Sequence, residues 1–288
     1  SVSGNIGVNR NEISDLGLLP ADFGCLGERV GYYGNSLGDH FGVGHIFLAG
    51  EAPGLFYGYV TQGIVQKEDI TENGIKYIKQ DGSVGYYQTV NKTTPVAGDV
   101  KYVDRNGDGV VDDNDRDIIG NPNPDFTYGF QTKVSWKSLS LSASFNGVQG
   151  RDILNVGNRY NNTPGTKSNN VTRKAFQNMW TDENPSNLYP KSTFVVQNMV
   201  MDRYVEDGSY LRCSDITLSY VLPAKWTNKI GIKNTSVYAS VKNAFVITDY
   251  SGYDPEVNSF AFDGLRPGVD MNSYPTPRSF VFGLNLTF

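Results

Sequence analysis

Residues 278–288 read RSFVFGLNLTF. Successive side chains of an extended strand point to opposite faces. Phe280, Phe282, Leu284, Leu286 and Phe288 therefore share one face, and Ser279, Val281, Gly283, Asn285 and Thr287 share the other. One face is oily; the other is mainly small or polar. The stretch closes on an aromatic residue. That is the expected form of the closing strand of an outer-membrane β-barrel, where a tilted strand needs about 9–11 residues to cross the apolar layer.

The same alternation recurs upstream. In 126–136, Phe126, Tyr128, Phe130, Val134 and Trp136 oppose Thr127, Gly129, Gln131, Lys133 and Ser135. In 139–147, Leu139, Leu141, Ala143 and Phe145 oppose Ser140, Ser142, Ser144 and Asn146. Only Lys137 and Ser138 separate these runs, which predicts a tight antiparallel hairpin. A second pair is expected over 209–222 and 235–247, with a weaker strand within 2–14 and an aromatic, β-prone run at 54–66. Residues 15–53 read as Gly-rich loop, 67–100 as polar with a small hairpin at Asp81-Gly82, and 170–181 as a short loop helix carrying Val171, Ala175, Met179 and Trp180.

The connections alternate in length. Those after Trp136 and Leu222 are short or moderate, whereas 148–208 and 248–277 are long. Barrels in outer membranes have short periplasmic turns and long external loops. The fold expected is therefore all-β: an antiparallel transmembrane β-barrel with long extracellular loops, in the cell outer membrane. Lys133 and Lys242 fall on polar faces, as they should, since a lipid-facing lysine at the midplane costs about 2–4 kcal/mol. Arg212 shares the parity of Ile216 and is expected on the oily face near a strand end.

Composition agrees. Of 288 residues, 39 % are hydrophobic, and no run of 18 apolar residues exists that would make a transmembrane helix. The formal net charge of −5, with no basic stripe, argues against a nucleic-acid partner. Cys25 and Cys213 have no metal or redox spacing. The opening SVSGNIGVNR already alternates and contains no signal peptide. The expectation is an internal start, with 1–288 forming the carboxy-terminal portion of a longer barrel whose plug and first strands are absent.

Residues 104–115 read DRNGDGVVDDND. Asp104, Asn106, Asp108, the Val110 carbonyl, Asp112 and Asp115 occupy the ligand positions of a calcium loop, with Gly109 at the sharp turn. Aspartate in place of the usual final glutamate reaches less far. The expectation is a Ca2+ that braces a loop; the bland alternative is an Asx-rich turn. His40 and His45 lie in a Gly-rich loop where nearby acids complete no metal set. No nucleophile elbow, P-loop or zinc motif occurs, so no enzyme is expected. Aromatic residues of the external loops are the candidate substrate contacts: Tyr160, Trp180, Tyr189, Tyr250, Tyr253 and Tyr274. Ordinary loop packing or an interfacial belt is the competing reading of each.

Five stretches together resemble the SusC/RagA-like TonB-dependent outer-membrane transporters. They are 54–66, GDVKYVDRNGDGVVDDNDRDIIGNPNPDFTYGF at 98–130, VEDGSYLRCSDITLSYVLP at 205–223, VKNAFVITDYSGYDPEVN at 241–258 and SYPTPRSFVFGLNLTF at 273–288. The resemblance implies import of glycans or peptides. It also implies a plugged barrel of roughly 22 strands, a SusD-like surface lipoprotein as partner, and TonB as the energy source. The chain departs from that pattern: it has no plug or TonB-contacting box and about seven strands, whose two open edges lipid cannot satisfy. It is expected to need the remainder of the barrel and the plug, within outer-membrane lipid. The rival reading is a soluble calcium-braced β-sandwich that binds glycans, with its oily faces turned toward each other. A surface adhesin module ranks last, because the chain lacks internal repeats.

Overall fold

The computed structural model describes residues 1–17, 25–26, 29–32, 37, 42–163, 170–192, 199–227 and 234–287. Six strands form one sheet: β1 (Val2–Gly7), β2 (Phe126–Trp136), β3 (Leu139–Gln149), β4 (Tyr210–Val221), β5 (Asn234–Thr248) and β6 (Ser279–Thr287). They lie side by side in chain order, each antiparallel to the next. The β2–β3 turn contains only Lys137 and Ser138, with Lys137 in the left-handed region at φ 53°.

Register gathers the oily residues into rows. One row runs Val134, Leu141, Leu218, Ala239, Phe282. The next runs Trp136, Leu139, Tyr220, Val237, Leu284. On the opposite face run Lys133, Ser142, Thr217, Ser240, Val281 and Gln131, Ser144, Asp215, Lys242, Ser279. Direct cross-strand neighbours are the unit of sheet stability. Phe130 stacks on Phe145 at 4.4 Å between centroids, and the Lys242 ammonium lies 2.5 Å from Asp215.

Among the described residues nothing packs over the oily rows, which stand exposed. Phe280 is 67 % exposed, Phe282 79 % and Leu284 57 %; Phe288 lies outside the described residues. A large apolar side chain taken out of water stabilises by about 1.5–3 kcal/mol, and soluble monomers rarely leave such residues exposed as one contiguous band. Facing hydrocarbon resolves the conflict; the β-sandwich reading, with its two oily faces in contact, does not fit. No described helix is long and apolar enough to cross a membrane.

Arg212 is corrected. A bulge at Ser214 shifts the register of β4 against β3, and an extra residue of β5 at Asn243 and Ala244 shifts β5 against β4. One extra residue reverses the alternation, so Arg212 pairs with Asn146 on the polar face and is buried.

The segments 8–125, 150–209 and 249–278 leave the sheet at one end, while 137–138 and 222–233 leave at the other. The three long segments fold together into a cap. Its core includes Phe56, Tyr59, Tyr77, Tyr102, Leu154 and Met201, drawn from two of them, with Val269 from the third. Residues 54–66, whose β-prone composition suits a wall strand, belong here instead. Leu55–Tyr59 is buried along its whole length and pairs with Arg116–Gly120 and His45–Leu48. The expected hairpin joins Gly74–Ile78 to Val84–Tyr87. The expected loop helix is Arg173–Asn178, capped by the Thr172 hydroxyl.

Candidate functional site

A helix spans Val156–Asn162, directly after the buried strand Asp152–Asn155. Asn155 caps it by accepting the Asn158 backbone N–H at 2.9 Å, which satisfies an otherwise orphaned donor. Asn158, Asn161 and Asn162 follow on one side at spacings of three and four, which are helical neighbours. Gly157 lets the 249–278 segment approach, because a Cβ there would collide with Asn272 Oδ1.

Glu206 organises this side. Its Oε1 accepts from Asn155 Nδ2 at 3.0 Å, Asn158 Nδ2 at 2.9 Å and the Ser251 hydroxyl at 2.8 Å. Oε2 accepts the Ser251 backbone N–H at 2.8 Å. Asn161 donates to Asn272 Oδ1 at 3.3 Å, and the Thr172 hydroxyl to Asn162 Oδ1 at 2.7 Å. Between these groups and Tyr253 lies a cleft of about 210 Å³, with Asp270 in its wall. Primary amides offer donors and acceptors without net charge. The exposed Tyr253 ring adds an apolar face. Such a lining suits neutral ligands rich in hydroxyls or amides.

Of the six candidate aromatics, Tyr253 alone lines this cleft. Tyr274 is 89 % exposed on the same segment. Tyr250 is buried beneath the cleft and donates to Asp270 Oδ2 at 2.7 Å; burial and that carboxylate push its phenol far above the ordinary range. Tyr160 packs against the cap core. Trp180 is buried, its indole N–H donating to Gln66 Oε1 at 3.0 Å and its backbone N–H to the Tyr189 carbonyl at 3.0 Å. The asparagines are absent from the sequence-based candidates, although their helical spacing is legible at 155–162.

His45 is buried in its strand, its ring 3.1 Å from the Pro267 carbonyl; His40 lies outside the described residues. Cys213 is a free, buried thiol on β4.

The acidic loop closes on its own backbone. Asp104 accepts the N–H groups of Gly107 and Gly109 at 2.6 and 2.8 Å. Asp115 accepts those of Arg105 and Asp112 at 2.7 and 2.8 Å. Asn106, Asp108 and Asp112 each accept the backbone N–H two residues on. Burial pushes the Asp115 carboxyl above its usual range, against the pull of those donors. Among the described residues, no three His, Cys, Asp or Glu side chains converge closely enough to hold a metal ion.

The chain is similar to TonB-dependent receptor P26 of Formosa agariphila, at 30 % identity over 97 % of this chain and 26 % of that protein. It is similar to TonB-dependent receptor SusC of Bacteroides thetaiotaomicron, at 34 % identity over 65 % of this chain and 17 % of that one. This chain belongs to the SusC/RagA-like family of TonB-dependent receptors. Solved structures agree. A structure of the RagAB peptide transporter matches all of this chain over 26 % of its own, with a TM-score of 0.67 at 25 % identity. The RagAB peptide importer in its 'open-open' state matches with a TM-score of 0.65 at 26 % identity. No family model matches. The SusC-like chain thus spans about a quarter of the first relative's length, at 26 %. Its antiparallel sheet is barrel wall, and the relatives' names are those of receptors and transporters rather than enzymes.

Proposed function

We propose that this chain supplies six adjacent wall strands and part of the external cap of an outer-membrane importer for oligomeric nutrients. The observation that carries the proposal is the sheet itself, apolar on one face and polar on the other, with every long connection at one end. In this reading the plug and remaining strands belong to the rest of the protein, a SusD-like lipoprotein covers the cap, and TonB supplies energy. The cargo is a glycan or a peptide held by the Asn158, Asn272 and Tyr253 cleft. Amide donors and acceptors beside a phenol ring serve both ligands, and the RagAB structures are named for peptide transport. The test is uptake of labelled oligosaccharides and oligopeptides by cells carrying the full-length protein. Asn158→Ala with Asn272→Ala should lower uptake of one class while the amount in the outer membrane stays constant. Unchanged uptake of both classes would remove the cleft from the proposal.

The 104–115 loop is proposed to take Ca2+, with Asp104, Asn106, Asp108, Asp112, Asp115 and the Val110 carbonyl as ligands. Its support is the spacing, together with two buried carboxylates that a cation would neutralise.

A further inference from the structure

Three side chains of the asparagine cleft are joined to Glu206 in one line. Asn158 Nδ2 donates to Glu206 Oε1 at 2.9 Å, Asn162 Nδ2 donates to Asn158 Oδ1, and the Thr172 hydroxyl donates to Asn162 Oδ1 at 2.7 Å. Glu206 pins one end. An ionised carboxylate only accepts, so Asn158 turns its NH2 to Glu206 and its oxygen to Asn162. Asn162 must then turn its own oxygen to Thr172. Thr172 pins the other end: its hydroxyl oxygen accepts the Ala175 backbone N–H at 3.1 Å, which leaves its proton for Asn162. Glu206 itself sits on the short strand Val205–Asp207, paired with Asp152–Asn155, and stays out of the cleft lining.

The direction of this line decides what the cleft offers. Asn155 Oδ1 is engaged by the helix cap, and Asn272 Oδ1 by Asn161. Asp270 accepts the Ser273 backbone N–H at 2.9 Å and the Tyr250 phenol at 2.7 Å. Among the described residues, Asn161 is the one asparagine of the lining whose amide oxygen stays unengaged. The N–H groups are in surplus. A primary amide has two; Asn158 and Asn162 each spend one within the line, and Asn272 spends neither on a described residue. We infer that Glu206 is a positioning residue: it holds Asn158 and Asn162 so that their remaining N–H groups meet the ligand. The cleft then selects an uncharged amide carbonyl, which only accepts, over a hydroxyl, which gains as much from an acceptor as from a donor. The carboxylates of Glu206 and Asp270 disfavour an anion. A peptide and an acetamido sugar both carry that carbonyl. The inference rests on the cleft being the cargo site.

The test is equilibrium binding to the purified full-length protein in detergent, with three uncharged probes. N-acetyl-trialanine amide and triacetylchitotriose carry the carbonyl on a peptide and on a sugar. Cellotriose has hydroxyls where the chitotriose has acetamido groups. At least one carbonyl probe should bind saturably, and cellotriose at least about tenfold more weakly; the tighter of the two names the source. Glu206→Gln keeps the size but adds a donor, so the line can run either way. It should cut the carbonyl preference below about threefold with the amount of folded protein unchanged. A merely structural role would weaken all probes in proportion and leave the ratio intact. Should that variant misfold, Asn162→Asp tests the next link from a partly exposed position: it cannot donate to Asn158, and the preference should fall likewise. No saturable carbonyl binding, equal binding of cellotriose, or an intact ratio in the folded variant would each overturn the assignment. Asn158→Ala with Asn272→Ala separates the two levels. If that pair loses binding while Glu206→Gln keeps the ratio, the role of Glu206 falls and the cleft stands; if the pair binds fully, the cleft reading fails and the inference with it.

Discussion

His45 shows what one buried residue imposes on the cap. It is fully buried against Phe56, with ring centroids 5.4 Å apart. Burial lowers its pKa from 6.5, and the charge of Arg266 lowers it further, against the Pro267 hydrogen bond and Asp263. In the unfolded chain the imidazole takes a proton near its ordinary value. Below that pH the unfolded state binds more protons, so stability falls as pH drops. The loss begins near pH 6.5 and levels off below the depressed folded value. Thermal unfolding of the cap in the full-length protein should show this acid-side slope, and His45→Phe should flatten it. A second residue-scale constraint is Gly283, where a Cβ would collide with the Tyr238 ring across the β5–β6 ladder. No alternation pattern distinguishes this glycine from any other small residue of a strand.

Individual elements were legible to different degrees. The strands of 126–136 and 139–147 announced themselves because one face is held by lipid and every second residue obeys it. Residues 54–66 are legible as β-prone and do form strands, Leu55–Tyr59 and Thr61–Ile64, in the cap rather than the wall, the first of them buried throughout. The alternation of connection lengths agrees: a wall strand there would send a long loop to the short-turn end. Arg212 misled because parity counting assumes an unbroken strand, and the bulge at Ser214 leaves no mark in composition. The bulge turns Arg212 toward the 249–278 segment, where it meets Asp254 at 2.5 Å and Glu256 at 3.2 Å. Glu256 in turn accepts from Tyr210 and Asn146, at 2.7 and 2.9 Å. Asp254→Ala would remove the closer and more buried of the two carboxylates on this guanidinium and leave Glu256, a loss below the about 3–5 kcal/mol of a buried charge left wholly unpaired. It should lower the temperature at which the folded barrel band disappears on gels, and Asp254→Asn should lower it less. On the other face, Leu218→Arg places a charge in the apolar band and should cost about 2–4 kcal/mol near the midplane. Ser219→Arg, one residue away on the polar face, should fold to near the parent level in the same assay. The acidic loop has its own measurement. Calcium at a hundredfold excess over Kd should stabilise the cap by about 2.7 kcal/mol; chelation should reverse the gain, and Asp108→Ala, which removes the ligand oxygen, should abolish it.

At the scale of the whole molecule, the division of labour is visible in where the buried residues lie. The described core clusters are all built from connecting segments rather than wall strands. The wall relies on lipid and on its cross-strand ladders; the cap relies on its own packing. This explains how the chain can be 39 % hydrophobic and still contain a membrane-crossing sheet: the apolar surface is confined to alternate positions of six strands. It also fixes a polarity that can be read directly. Tyr274 belongs to the cap end and is 89 % exposed. Lys225 belongs to the short-connection end, between β4 and β5, and is also exposed. With the cap outside, Tyr274→Cys in the full-length protein should react with a membrane-impermeant maleimide on intact cells. Lys225→Cys should react only after the outer membrane is permeabilised. Cys213 is buried and should stay silent in both cases. Reaction of Lys225→Cys on intact cells, with Tyr274→Cys protected, would invert the molecule in its membrane. It would also place the asparagine cleft on the side from which no external nutrient arrives.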